Sequence, residues 1–220
     1  MIAKEMISNL VPPLKTSDTG DKALVWMHEF GVNQLPIVNG EEYLGLITED
    51  DIMDLSEPNE PIGSYELSLQ KASVAENAHL YEVIKTLVEN RLTLVPVVGA
   101  DNAYEGVVTL ENIMKHFAEL SSVNESGAVI VLNLNKNEYS LSEIARIVES
   151  NGALILSSHV FNNKVEGQLE VVLKLNVSDI RGIVAAFERF EYTIGGFYQE
   201  DEYRDQIQDR FDSLMNYLNI

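Results

Sequence analysis

Hydrophobic residues in the first half of the chain follow two patterns in turn. The first is a helical spacing, and the second is a short, continuous run that contains β-branched residues. Apolar positions recur every three or four residues from 23 to 30, and Gly31 is placed to end that helix. Residues 35–38 (LPIV) follow as a strand. The same succession returns with a helix over 80–88 and a strand over 94–98 (LVPVV). The pattern predicts an α/β unit of helix, strand, turn, strand and helix.

This α/β unit occurs twice. Residues 23–38 align with 83–98, which places Pro36 on Pro96. Residues 45–53 (GLITEDDIM) align with 106–114 (GVVTLENIM). The period is about 60 residues, in the range of internal structural repeats. We expect a first unit over 1–60 and a second over 61–123, with Asp18 and Asn77 as the helix caps.

The duplicated motif of Leu-Pro-Ile-Val, a polar turn, Gly-Leu-Ile-Thr and an acid three residues later resembles the CBS domain, named after cystathionine β-synthase. Two such units in tandem form a CBS pair, or Bateman module, and the resemblance covers about residues 1–120. It implies a regulatory protein rather than an enzyme. It also implies an adenosyl ligand (AMP, ADP, ATP or S-adenosylmethionine) in a cleft between the units. A divalent cation such as magnesium would offset the phosphates.

The resemblance also carries over site residues. Thr48 and Asp51 match the family's hydroxyl and its ribose-binding carboxylate, and Thr109 and Asn112 match them in the second unit. A carboxylate accepts hydrogen bonds from both ribose hydroxyls, and a threonine hydroxyl donates to a phosphate oxygen. Because Asn112 replaces the acid, the first unit is the stronger candidate. The alternative is that Thr48 and Asp51 only cap a helix.

Further ligand contacts are predicted on the strands and at exposed cations. The expected adenine walls, which are alternatively plain core residues, are Leu35, Pro36, Val95 and Pro96. Arg91 is the first candidate to pair with phosphate, followed by Lys15 and Lys71, and each is alternatively a solvated surface cation. Many nucleotide-binding relatives carry Arg or His where Gln34 and Leu94 stand here. A weakly charged ligand such as adenosine or S-adenosylmethionine therefore suits the site at least as well as ATP.

Composition narrows the function further. The chain has 35 acidic against 15 basic residues, a net charge of −20, which disfavours binding to nucleic acid or to an anionic membrane. It has no cysteine, and its four histidines lack metal-ligand spacing, so no metal site and no catalytic residue is predicted. No apolar run reaches the length of a membrane span, and we expect a cytoplasmic protein.

The second half has a different pattern. Strands are predicted over 128–133, 154–161, 169–177 and 193–198. Helices are predicted over 141–150, with Ser140 as the cap, and from Asp179, as the cap, to about Phe190. The order βαββαβ is that of an α+β ferredoxin-like domain, here placed at 127–200. Residues 201–220 carry apolar residues at spacings of three and four, which predicts a C-terminal amphipathic helix.

After a CBS pair, this domain looks like an ACT domain, and the whole layout is similar to the acetoin-utilisation protein B family. Amino-acid-binding ACT domains usually have a glycine in the first strand-to-helix turn, where Tyr139 stands here. We therefore expect an assembly module and keep amino-acid sensing as an alternative. The overall prediction is an allosteric adenosyl sensor, a homodimer that acts on a client enzyme or regulator. The alternative is a ligand-free scaffold for dimerisation and partner docking.

Overall fold

The computed structural model describes residues 1–65, 69–162 and 167–199. These residues pack as two units, of which the first ends at His116 and the second begins at Phe117. The predicted C-terminal helix over 201–220 lies outside the described residues, as do Asn163 and Lys164 in the turn that joins the predicted strands 154–161 and 169–177.

The first repeat forms a three-stranded sheet with two helices. Its elements are β1 (Leu14–Lys15), α1 (Gly20–Phe30), β2 (Gln34–Asn39), β3 (Glu42–Thr48) and α2 (Glu49–Met53). Strand β1 is parallel to β2, and β2 is antiparallel to β3.

The second repeat has the same order and pairing. Its elements are β4 (Val74–Ala75), α3 (Leu80–Glu89), β5 (Leu94–Val98), β6 (Tyr104–Thr109) and α4 (Leu110–Leu120). Each antiparallel pair has a register shift at the aligned position, Ile37/Val38 in one sheet and Val97/Val98 in the other. The predicted duplication is therefore confirmed at the level of strand register.

Two predicted helix caps differ from the structure. Helix α1 is capped by Thr19, which accepts a hydrogen bond from the Lys22 amide, and not by Asp18. Helix α3 is capped by His79, whose Nδ1 accepts from the Tyr81 amide, and not by Asn77. Both caps lie one or two residues later than predicted, because several neighbouring polar residues fit the same sequence rule and the backbone conformation decides which of them is the cap. The predicted end of α1 at Gly31 is confirmed by its left-handed φ of +63°.

The two repeats exchange extended segments. The segment before β1 leaves its own repeat, and Ser8 bridges to Val107 of β6 in the second repeat. The segment before β4 returns the exchange, since Gln70 bridges to Leu46 of β3 in the first repeat. Each incoming segment lies directly over a glycine, Ile7 over Gly106 and Leu69 over Gly45. A Cβ atom on either glycine would lie 2.5–2.6 Å from the incoming side chain.

Side chains near the pseudo-twofold axis also join the repeats. The buried Gln34 Oε1 accepts hydrogen bonds from the Thr93 amide at 3.1 Å and the Thr93 hydroxyl at 2.9 Å. The aligned residues Tyr43 and Tyr104 stack with ring centroids 6.5 Å apart. One continuous core lies beneath both sheets and includes Leu35, Ile47, Val95 and Val108. The repeats therefore fold as one body.

The second unit is a four-stranded antiparallel sheet with two helices. Its elements are β7 (Val129–Asn135), α5 (Leu141–Ser150), β8 (Ile155–Asn162), β9 (Gln168–Leu175), α6 (Arg181–Arg189) and β10 (Thr193–Tyr198). The strand order is β10-β7-β9-β8. The predicted βαββαβ order is confirmed, and α5 has the predicted bounds with Ser140 as its cap.

One expectation in this unit is wrong in detail. Asp179 was expected to cap α6, but the cap position is Ile180. Asp179 still accepts from the Arg181 amide at 3.2 Å, and its ion pair with the Arg181 guanidinium lowers the pKa of that carboxyl to about 2. The carboxylate therefore supports the helix start through a neighbouring arginine rather than through the standard cap geometry.

We predict that Gly106→Ala and Gly45→Ala each destabilise the first unit by about 2–4 kcal/mol. Their φ values of +145° and +148° suit glycine, and the added methyl would collide with the exchanged segment. Urea unfolding measures the loss. Gly40→Ala is the matched control, because its φ is +64° but nothing lies within 4 Å of the new methyl. Equal losses at Gly40 and Gly106 would contradict the argument from contact.

We predict that Gln34→Leu, which copies the aligned Leu94, destabilises the first unit by about 1–3 kcal/mol. The substitution removes the Gln34 Oε1 acceptor that the Thr93 amide and hydroxyl share. Because Gln34 is only 8% exposed, water does not readily replace that acceptor. A double-mutant cycle with Thr93→Val checks this through unfolding free energies. Losses that simply add in the double variant would show that the two side chains are not coupled.

Candidate functional site

A crevice of about 530 Å³ lies between the two repeats of the first unit. One wall comes from the first repeat and its leading segment, including Ser8 and the end of α1. The other wall comes from the second repeat at Thr93 and the first turns of α4. The volume is in the range of small-molecule sites, which are typically about 300–1,000 Å³. The crevice exists only because the repeats pair.

Thr109 and Asn112, predicted from the motif, both line this crevice. The Thr109 hydroxyl donates to Asn112 Oδ1 and accepts from the Asn112 amide at 3.3 Å. The second bond has the geometry of an N-cap. Both side chains are half-buried, so they combine a structural bond with access to the crevice.

The crevice has an apolar part and a charged part. Its apolar lining comes from Leu10, Val11, Phe30, Val32 and Leu110. Its charged lining consists of two carboxylates, Glu29 and Glu111, and one ammonium group, Lys115. Helix α4 has eleven residues and begins at this wall, so the positive end of its dipole faces the opening. An aromatic body with a polar or singly charged end would match this lining.

Thr48 and Asp51 form a complete capping box at the start of α2. The Asp51 carboxylate accepts from the Thr48 amide at 2.8 Å and the Thr48 hydroxyl at 2.7 Å. The Asp51 amide in turn donates to the Thr48 hydroxyl at 3.1 Å. The capping interpretation of these residues is confirmed. Their role toward a ligand stays a prediction.

The four predicted adenine-wall residues lie in the core. Leu35, Pro36, Val95 and Pro96 are all buried, and the described crevice is lined by other residues. Leu35 and Val95 belong to the shared core cluster. These residues therefore pack in the core, and their contact with an adenine base stays a prediction.

The predicted phosphate partners are exposed and lie outside the described crevice. Arg91 follows α3 with a φ of +54°, at the position aligned with Gly31. Lys15 lies on β1, where its amide donates to Asp18. Lys71 is also exposed.

Sequence reasoning missed Ser8, Phe30, Thr93 and Lys115 as crevice residues. The motif alignment does not identify them, because they come together only when the leading segment crosses to the other repeat. Lys115 carried one available signal, since it lies three residues after Asn112 and shares its helix face.

The second unit has a cavity of its own, of about 710 Å³. It lies beside the turn from β7 to α5 and is lined by Asn133, Glu138, Tyr139, Glu143 and Tyr192 among others. Tyr139 thus lies at the predicted place. The cavity is predominantly acidic and polar, with Glu191 as a third carboxylate.

The described residues contain neither a membrane-spanning helix nor a cluster of metal-ligating side chains. Among the helices over 1–65, 69–162 and 167–199, none is long and apolar enough to cross a membrane. Within the same ranges, no group of three or more His, Asp or Glu side chains is placed to share a metal ion.

Two known proteins are similar to this chain over part of their length. Over 186 residues the chain is 21% identical to an inosine-5'-monophosphate dehydrogenase of Methanocaldococcus jannaschii, covering 83% of this chain and 37% of that protein. Over 95 residues it is 28% identical to an uncharacterized protein of Methanopyrus kandleri, covering 40% and 48%. The chain thus spans less than half the length of either relative.

A solved structure and a family model each match part of this chain. A CBS domain pair/ACT domain protein from Thermotoga maritima has a TM-score of 0.49 and 20% identity, over 54% of this chain and 98% of that one. The family model of the CBS domain matches residues 6–57 and 67–119, the two repeats described above. This chain therefore carries a tandem pair of CBS domains.

Proposed function

We propose that the CBS pair is a regulatory sensor that binds an adenosyl ligand in the crevice between its repeats. The observation that carries the proposal is that Thr109 and Asn112, matched to the family's ribose and phosphate contacts, line a crevice whose other wall belongs to the first repeat. A ligand there touches both repeats at once. Thr48 and Asp51 would make the equivalent contacts at the pseudo-equivalent position of the first repeat.

The lining suits the parts of an adenosyl group. Phe30 and Leu110 offer apolar surface to a planar base. The Asn112 carboxamide and the Thr109 hydroxyl offer acceptors and donors to ribose. Because a single cation faces two carboxylates, the crevice favours a ligand of low negative charge, such as adenosine, AMP or S-adenosylmethionine, over ATP without magnesium.

Regulation follows from the position of the crevice. A ligand that contacts both walls changes the free energy of their relative packing, and it shifts an equilibrium only as far as its affinities for the two arrangements differ. We propose that the change is passed to a client protein or to the second unit. The confirmed βαββαβ order supports an ACT-like role for the second unit. Homodimerisation, the client and the likeness to the acetoin-utilisation family stay predictions.

The competing function is a scaffold that binds no ligand. On that hypothesis Thr109 and Asn112 only bond to each other, as Thr48 and Asp51 do. The two functions differ in one measurable property. A ligand at a hundred times its Kd raises stability by about 2.7 kcal/mol, whereas a scaffold shows no change.

We predict that at least one of adenosine, AMP, ADP, ATP and S-adenosylmethionine raises the thermal midpoint of the full chain. Thr109→Ala should lower the unliganded stability by about 1 kcal/mol and abolish the ligand-induced rise. Calorimetric titration of the same ligands gives the affinity. No heat and no shift with any of the five would leave the scaffold as the function.

A matched variant separates loss of a cap from loss of a ligand contact. Thr19→Ala removes the same kind of cap from α1, where Thr19 accepts from the Lys22 amide at 3.2 Å, but Thr19 lies outside the crevice. It should cost similar stability and keep the full ligand-induced rise. If both variants lose the rise equally, the effect of Thr109→Ala comes from global destabilisation and not from the site.

A further inference from the structure

The crevice lined by Thr109 and Asn112, here called the Thr109 crevice, has an aligned position in the first repeat. This position, at Thr48 and Asp51, is here called the Thr48 counterpart. Continuing the alignment of 45–53 with 106–114 by one residue places Asp54 on Lys115. The crevice residues Glu29 and Gly31 align with Glu89 and Arg91. The incoming residue Ser8 corresponds to Gln70, because the two make equivalent bridges to the aligned Val107 and Leu46. Lys115, Glu29, Gly31 and Ser8 of the Thr109 crevice therefore each have a counterpart in the other repeat.

The charges of the two positions differ strongly. The Thr109 crevice has one cation, Lys115, against two carboxylates, Glu29 and Glu111. At the aligned residues, the Thr48 counterpart has in sequence one cation, Arg91, against five carboxylates, which are Glu49, Asp50, Asp51, Asp54 and Glu89. Like charges repel one another, and the repulsion is larger where fewer cations offset it. An added phosphate therefore meets far more repulsion at the Thr48 counterpart.

Helix length reinforces the difference. Helix α4 has eleven residues, whereas α2 has five. Because the helix dipole is the sum of aligned peptide dipoles, α4 presents the stronger positive end to an anion. Helix α2 also begins with three consecutive acids, Glu49 to Asp51, and the Asp51 carboxylate is already bonded twice to Thr48. Its first turn is occupied by negative charge.

A hydrogen bond also joins two side chains of the Thr48 counterpart. Gln70 Nε2 donates to Asn90 Oδ1 at 3.0 Å. The corresponding residues of the Thr109 crevice, Ser8 and Phe30, leave an opening that both of them line. The first position is therefore bridged by a polar contact where the second is open.

We propose that the two pseudo-equivalent positions take different ligand classes, and that Lys115 is the residue of the Thr109 crevice that pairs with an anionic group. The Thr109 crevice accepts a nucleoside that carries an anionic group, which pairs with Lys115. The Thr48 counterpart rejects such an anion and admits only an uncharged or cationic ligand. This inference rests on the proposed adenosyl binding and adds to it the charge class that each position takes.

The test compares AMP with adenosine on the full chain by calorimetric titration in low salt with EDTA, which removes divalent cations. We expect AMP to saturate at one molecule per chain. Lys115→Gln should weaken AMP binding about three- to tenfold and leave adenosine binding within about twofold. Lys136→Gln is the control, because Lys136 is an exposed lysine of the second unit that lies outside both positions. This control substitution should leave the affinities for AMP and for adenosine unchanged.

The possible results separate failure of the charge-class proposal from failure of the proposed adenosyl binding. Two AMP molecules per chain, or an AMP-to-adenosine affinity ratio that Lys115→Gln does not change, would overturn the division of charge classes and leave adenosyl binding intact. Failure of both ligands to bind would overturn the proposed function and this inference with it. Urea unfolding of each variant confirms that the exposed substitutions leave the fold unchanged.

Discussion

The close crossing of an extended segment over a glycine holds the first unit together, and it occurs twice. Ile7 lies over Gly106, and Leu69 lies over Gly45, each in a repeat other than its own. Neither sheet can bury both of its faces alone, so each repeat completes its core with the segment that leads into the other. The Lys4–Glu76 ion pair at 2.6 Å and the backbone bond from the Ala3 amide to the Ala78 carbonyl extend this exchange. The crevice is a product of the same arrangement, because its walls are the surfaces that the exchange brings together.

Fold and site share residues in this unit. The Thr109 hydroxyl starts a helix and faces the crevice, and Thr93 bonds to Gln34 across the repeats while it lines the same crevice. A ligand that bonds to these groups competes with, or adds to, bonds that fix the relative position of the repeats. This gives a physical route from binding to a change in packing. The internal duplication then lets one position be altered without the other, as the charge difference between Lys115 and Asp54 shows.

Much of the fold could be predicted from the sequence, because it depends on local patterns. The helical stripe ending at Gly31, the Pro-containing strands β2 and β5 and the α5 helix with its Ser140 cap all follow from spacing and from the preferences of single residues. Caps were less predictable. Thr19 and His79 cap α1 and α3 because of where the backbone turns, and several neighbouring polar residues satisfy the same sequence rule.

The sequence by itself determined the duplication, the order of elements in both halves and the paired motifs at Thr48 and Thr109, since these depend on residue type and period. Only the tertiary structure decided which residues meet. The leading segment crosses to the other repeat, which brings Ser8 and Phe30 opposite Lys115. These residues are far apart in the chain and belong to no common motif. A crevice between repeats is a property of long-range packing, and no local period encodes it.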